Sequence, residues 1–161
     1  MALVERASRL AYTIFVQEFD RETTTLPSPF YRVTVKALVM NDDGQLLVGV
    51  NTHGYYELPG GGWEHGETLE QCLGRELVEE FGVAIDTIRQ PVCYWQHPHR
   101  GWHYSLLRIG VPVTLKNFDF TPGDGIVEAR FVSRQEFRAI NLEEYEGNVK
   151  EQTDKIWSVE E

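Results

Sequence analysis

Residues 69–81 leave the chain the least freedom. Thr68 with Gln71 three residues later is a capping box, and Gly82 stands where a helix C-terminal glycine belongs. The pattern predicts a helix from Leu69 to Phe81, about 20 Å long at 1.5 Å per residue. At 100° per residue, Leu69, Leu73 and Leu77 fall at about 0°, 40° and 80°, with Cys72 at about 300°. Glu76, Glu79 and Glu80 fall at about 340°, 280° and 20°, inside the arc the leucines use for burial, while Val78 at about 180° faces away. A helix that only had to cover a core would carry its carboxylates opposite its leucines.

Close carboxylates on a partly buried face repel one another, and burial penalises each charge. A hard divalent cation resolves both costs. Magnesium takes oxygen ligands and is commonly shared between one or two carboxylates and substrate phosphates. Seven acids, Glu57, Glu64, Glu67, Glu70, Glu76, Glu79 and Glu80, lie between residues 57 and 80, where Arg75 is the only Lys or Arg. The bland alternative is a solvated acidic face with Arg75 and Glu79 as an i, i+4 pair. The angular coincidence with the leucines favours a metal site.

The rest of the chain supplies a setting. With 161 residues and 42% hydrophobic content it is one domain's worth of sequence, able to bury a core without staples. Cys72 and Cys93 cannot build a disulfide framework, and no run of 18 apolar residues is present. These features imply a soluble, cytoplasmic protein with no membrane partner. The net charge of -10 argues against duplex nucleic acid, whose binding depends on Lys and Arg. A phosphate-bearing ligand would need a cation.

Val33 to Met40 and Gln45 to Val50 are apolar runs joined by Asn41-Asp42-Asp43-Gly44, a hairpin signature. Tyr55 to Leu58 leads into Pro59-Gly60-Gly61-Gly62, which permits close backbone approach to a ligand. Strands are expected at Val92 to Gln96, Trp102 to Val113 and Ile126 to Val132, and Ser133 with Glu136 forms a second capping box. Leu142, Tyr145, Val149, Ile156 and Trp157 read as one amphipathic closing helix, weakened at Gly147-Asn148. Residues 1–32 form an N-terminal extension or edge element, with an apolar, β-prone stretch from Ala11 to Phe19, and residues 33–161 form the main domain. Strands interleaved with helices give an α/β or α+β fold.

Gly61, five residues, Glu67, seven residues, then Arg75-Glu76-Leu77-Val78-Glu79-Glu80-Phe81-Gly82-Val83 resembles the Nudix box, G-x5-E-x7-R-E-U-x-E-E-x-G-U, where U is a bulky aliphatic residue. All nine specified positions match, and a looser likeness extends over roughly residues 33–140. The resemblance implies an α/β/α sandwich with a mixed sheet. It implies magnesium-dependent, or manganese-dependent, hydrolysis of a nucleoside diphosphate linked to another group X.

By the same resemblance Glu76, Glu79 and Glu80 are metal ligands, joined by the Gly60 carbonyl, and Glu67 with Arg75 holds the loop to the helix. The general base is the glutamate at position 76 in some members and a loop acid in others, for which Asp124 and Glu128 are the candidates. Glu76 and Glu79 stand with them as catalytic candidates. Trp63, Arg100 and Trp102 are candidate substrate contacts, by stacking on a base or pairing with a phosphate, against loop and sheet packing as the plainer reading. Pro98, in a turn after the box, is too ordinary to decide between substrates.

The leading reading is a MutT-like hydrolase of (deoxy)nucleoside triphosphates. ADP-ribose or nucleotide-sugar hydrolysis is the alternative, and a non-catalytic nucleotide sensor is a second. The absence of a basic stripe argues against an RNA groove. The small-molecule nucleotide is the expected partner of a monomer or homodimer.

Overall fold

A computed structural model describes residues 30–97, 104–142 and 144–158, with the backbone alone for 144–146. Ala11 to Phe19, Pro98, Arg100 and Trp102 lie outside the described residues.

In strand β1 (Tyr31–Leu38) polar and apolar residues alternate from Arg32 to Ala37. Val35 and Ala37 on one face are fully buried in a core cluster, while Arg32, Thr34 and Lys36 share the other face. The strand begins at Tyr31, two residues before Val33. The Asn41-to-Gly44 turn forms as expected: Asn41 Oδ1 accepts the Asp43 and Gln45 amides. The hairpin it was expected to close does not extend. Only its neck pairs, through Met40 and Leu46, and β2 (Leu46–Asn51) then turns to a second sheet with β3 (Tyr56–Glu57) and β7 (Ile126–Val132) in the order β3-β2-β7. The edge of β1 that β2 would have taken is occupied by the glycine segment. Val35 N–H donates to the Gly61 carbonyl, Ala37 N–H to Pro59 and Trp63 N–H to Val33.

The other edge of β1 pairs in parallel with β6 (Ser105–Leu115), Thr34 opposite Arg108. β6 is long enough to hold two antiparallel partners on its far edge, β5 (Cys93–His97) along its first half and β4 (Ile85–Ile88) along its second. The first sheet is therefore mixed. β4 is an element the sequence reading did not anticipate. Its burial runs half-buried, exposed, exposed, half-buried, so it lacks the alternation that marks a strand.

Helix α1 (Leu69–Phe81) has the expected bounds, with both arms of the Thr68–Gln71 capping box formed and Gly82 left-handed at φ 68°. It packs Leu73, Leu77 and Phe81 against Val35, Ala37, Val111 and Val113. The second capping box opens α2 (Arg134–Ala139), whose Phe137 is fully buried. The closing amphipathic helix is not continuous. A 3-10 stretch over Glu144–Gln152 breaks at Gly147 (φ 57°), and only α3 (Thr153–Trp157) is α-helical. Leu38, Leu46, Leu58, Trp95, Phe137 and Ile156 form the second core cluster. Because β1 sends Val35 and Ala37 to one cluster and Leu38 to the other, the sheets lie between α1 and the C-terminal helices, giving the α/β/α arrangement.

Candidate functional site

The floor of the site is the glycine turn on β1. Gly60 has φ 109°, a conformation L side chains rarely adopt. Gly61 is required for a different reason: a Cβ there would stand 2.6 Å from both carboxylate oxygens of Glu76. The Glu76 carboxylate therefore packs directly on the Gly61 backbone.

Above this floor, Glu76 and Glu80 are 7% and 8% exposed, on the same side of α1 as Leu73 and Leu77. Glu79 sits at the rim, with a side chain 47% exposed. Glu80 Oε2 accepts the Gly60 amide at 2.7 Å. Burial pushes the Glu80 carboxyl up to about 7, and the neighbouring Glu76 and Glu57 add to the rise, against the opposing pull of Lys36 and the Gly60 amide.

Arg75 binds the parts together. Its Nε and Nη2 meet Glu67 Oε1 and Oε2 at 2.8 and 3.1 Å, Nη2 also donates to the Gly62 carbonyl at 3.1 Å, and Nη1 reaches Glu76 at 2.6 Å and Glu79 at 3.4 Å. Loop, glycine turn and helix thus share one guanidinium. Its hydrogen bonds hold the Glu67 carboxyl below the usual carboxylate range and raise the Arg75 guanidinium further above its own. Beside it the buried Cys72 thiol donates to the Gly62 carbonyl at 3.5 Å, and burial, with the nearby Glu67 and Glu76 charges, pushes it up to about 12.

Lys36, 4% exposed, was not singled out in the sequence. Its ammonium donates to the Leu58 carbonyl at 2.8 Å and to the Gly60 carbonyl. The signal was present: Arg32, Thr34 and Lys36 are polar at every second position of a run whose alternate residues are apolar. A cavity of about 200 Å³ opens beside them, reaching from Glu57, Gly60 and Glu80 to Arg32 and Arg108. Arg108, 3% exposed, donates to Thr34 Oγ1 at 3.4 Å. Neither Arg108 nor Glu57 was assigned to the pocket from the sequence.

Of the other candidate residues, three lie among the described residues. Trp63 is 37% exposed and its indole N–H donates to the Glu67 carbonyl at 3.0 Å. Asp124 sits in the turn before β7 with φ 43°, in a loop tied to the end of α1 by the Gly123 amide on the Glu80 carbonyl. Glu128 is exposed on β7, opposite Val50. Arg100 and Trp102 belong to the residues not described.

Among the described residues no three acidic, His or Cys side chains converge closely enough to hold a metal. The reason is visible: Arg75 draws Glu76 and Glu79 to itself, while the Gly60 amide takes Glu80. The donor set nevertheless fits a hard divalent cation. Three carboxylates share one helix side, two of them buried, and Glu76 rests in a space at Gly61 that any Cβ would fill.

The chain matches the NUDIX domain over residues 30–153. It is 39% identical over 55 residues to a protein named RNA pyrophosphohydrolase from Wolbachia pipientis subsp. Culex pipiens (strain wPip), a match covering 33% of this chain and 34% of that one. The matched part is thus about a third of that relative's length. Among solved structures, the MutT protein of Methanosarcina mazei Go1 superposes with a TM-score of 0.68 at 22% identity, covering 81% of this chain and 97% of the other. An ADP-ribose pyrophosphatase from Streptococcus suis 89-1591 gives 0.66 at 17% identity, covering 80% and 91%. At these identities the two structures speak for the fold alone. With a domain match over most of its length and the glutamate-lined helix seated on its glycine turn, the chain belongs to the Nudix family.

Proposed function

We propose that the chain is a pyrophosphohydrolase acting on a nucleoside diphosphate linked to a further group, with (deoxy)nucleoside triphosphates as the substrate class and magnesium as the metal. The burial of Glu76 and Glu80 on the core side of α1, against the Gly60-Gly61 backbone, carries this reading. A divalent cation, which hydrolases of this family generally use, supplies neutralisation of the diphosphate and a more acidic water. Glu76, Glu79 and Glu80 would hold it, together with the Gly60 carbonyl.

The chain's own residues do the rest. Arg75 sets the azimuth of Glu76 and Glu79, and the Gly60 amide fixes Glu80. Water attacks one phosphorus and loses its proton to a carboxylate, Glu76 or an acid of the 124–128 segment. The bond to the bridging oxygen breaks and its electron pair leaves with the departing phosphate. General base catalysis of this kind contributes typically 10²–10⁴-fold.

A relative named MutT-like protein from Streptomyces ambofaciens, 39% identical over 59 residues, is in keeping with the triphosphate reading. The relative named RNA pyrophosphohydrolase favours an RNA substrate instead, against a net charge of -10, and cleavage of ADP-ribose or a nucleotide sugar is the other alternative. The test is release of phosphate or pyrophosphate from nucleoside triphosphates, ADP-ribose, nucleotide sugars and 5′-triphosphorylated RNA, each with magnesium, manganese and chelator. Metal-dependent turnover of the triphosphates is the expected result. Preference for one of the other classes would replace the substrate, and binding without any turnover would replace the enzyme with a sensor.

A further inference from the structure

Gly60 is held from both sides. Its carbonyl accepts the Lys36 ammonium, which also donates to the Leu58 carbonyl at 2.8 Å, and its amide donates to Glu80 Oε2 at 2.7 Å. Lys36 is 4% exposed, so a side-chain cation is built into the floor on which the proposed metal ligands rest. We propose that Lys36 is a positioning residue that stands in for the divalent cation: its ammonium holds the Gly60 carbonyl while no metal is bound, and metal entry displaces it. This deepens the pyrophosphohydrolase reading and rests on it.

Four observations support the displacement. A magnesium ion lies about 2.0–2.1 Å from its oxygen ligands and an ammonium about 2.9 Å from the oxygen it donates to, so on the one Gly60 carbonyl the two cations would be no more than about 5 Å apart. Like charges that close repel strongly where water is largely excluded. The other proposed ligands are also engaged already: Arg75 Nη1 lies 2.6 Å from Glu76 and 3.4 Å from Glu79, and the Gly60 amide takes Glu80, so metal enters by exchange with donors of the chain. The Lys36 charge opposes the rise that burial imposes on the Glu80 carboxyl, which is the effect a bound cation would have. Finally, the ammonium has room to withdraw. The strand is fixed, with Val35 and Ala37 fully buried and their amides bonded to the Gly61 and Pro59 carbonyls, but Lys36 lines the cavity of about 200 Å³, so its side chain can leave Gly60 without any backbone shift.

The test is calorimetric titration with magnesium chloride alone, at about pH 8.5 where protons compete little for the carboxylates, on wild type, Lys36→Met and Lys36→Gln. Both variants lack the charge, and the glutamine can still donate to the Gly60 carbonyl. The expected result is magnesium binding about tenfold tighter in both variants than in wild type. Magnesium should also raise their Tm more than that of wild type, because in chelator they lack the cation that the metal then restores. Magnesium affinity within about twofold of wild type in both variants would overturn the proposal. So would weaker binding in Lys36→Met with wild-type binding in Lys36→Gln, which would make Lys36 a plain support of the glycine turn. If neither variant folds, magnetic resonance of wild type carrying isotope-labelled lysine decides. Displacement then requires the Lys36 ammonium protons to exchange with water at least about tenfold faster in saturating magnesium than in chelator, and unchanged exchange overturns it. Metal-dependent hydrolysis by wild type is measured separately. Turnover with metal affinity independent of Lys36 removes the stand-in alone, and Lys36-dependent metal affinity without turnover removes the enzymatic reading alone.

Discussion

Arg75 grips Glu67 with two parallel contacts, Nε on Oε1 and Nη2 on Oε2, across eight residues of chain. One end of this fork is on the helix and the other on the loop that follows the glycine turn, so the pair sets the distance between the two surfaces of the site. A lysine offers one point charge where the arginine offers a planar fork. Arg75→Lys and Glu67→Gln are each expected to cost about 1–3 kcal/mol of stability, measured by denaturant unfolding. The double variant should cost clearly less than the two together, because the same contact is lost only once. Additive losses would mean that the two residues act independently.

Glu80→Gln keeps the shape of the side chain and removes its charge. The fold should be retained, while turnover falls at least about 100-fold. Glu79→Gln, at the exposed rim, should also abolish most turnover with little effect on stability. Near wild-type rates in both variants would exclude the glutamate face as the reaction centre.

Glu80 also predicts a pH dependence of the metal-free protein. Its carboxyl is pushed from 4.5 up to about 7, chiefly by burial, so the folded state binds the proton more tightly than the unfolded state does. That contribution to stability is fully present below pH 4.5 and is lost as pH rises to about 7. The loss is expected to reach about 3 kcal/mol, read as the difference between wild type and Glu80→Gln in unfolding experiments with chelator from pH 4.5 to 8. A constant difference across that range would mean the group is ionised throughout.

If Glu80 holds the metal as proposed, it must be ionised to do so, and magnesium binding should release protons at pH 6 and release few at pH 8. Calorimetry in two buffers of different ionisation enthalpy measures this directly. Equal release at both pH values would place the metal elsewhere.

Gly61→Ala separates chemistry from stability. The added methyl would meet the Glu76 carboxylate and push it off the glycine turn, with no positive φ to strain the backbone. Turnover is expected to fall at least about 100-fold with a small change in Tm. Gly60→Ala, at φ 109° and against the Val35 carbonyl, should lower Tm as well. Equal Tm losses in the two would remove the distinction between floor and cradle.

Most of α1 and its glutamate face was legible because local rules converge there: a capping box, a C-terminal glycine and a 100° periodicity that put Glu76 and Glu80 among the leucines. The pairing of β1 was not legible. A strong turn at residues 41–44 argued for a hairpin, and only the three-dimensional competition for one strand edge shows that Pro59 and Gly61 win it. β4 was hidden by its lack of alternation. Arg32 and Lys36 stood in plain alternation, yet nothing local in the sequence says that their face meets Arg108, 72 residues beyond Lys36, because that depends on the parallel register of β1 with β6.

That register has a kinetic consequence. The helix and its caps are local and can form early, whereas Thr34 meets Arg108 only by closing a loop of 74 residues, and parallel pairings at such separation are slow to form. On refolding from denaturant, helical circular dichroism should return before catalytic activity does. A chain emerging from unfolding would thus carry the glutamates on a formed helix before it has a pocket to aim them at, and would acquire its chemistry last.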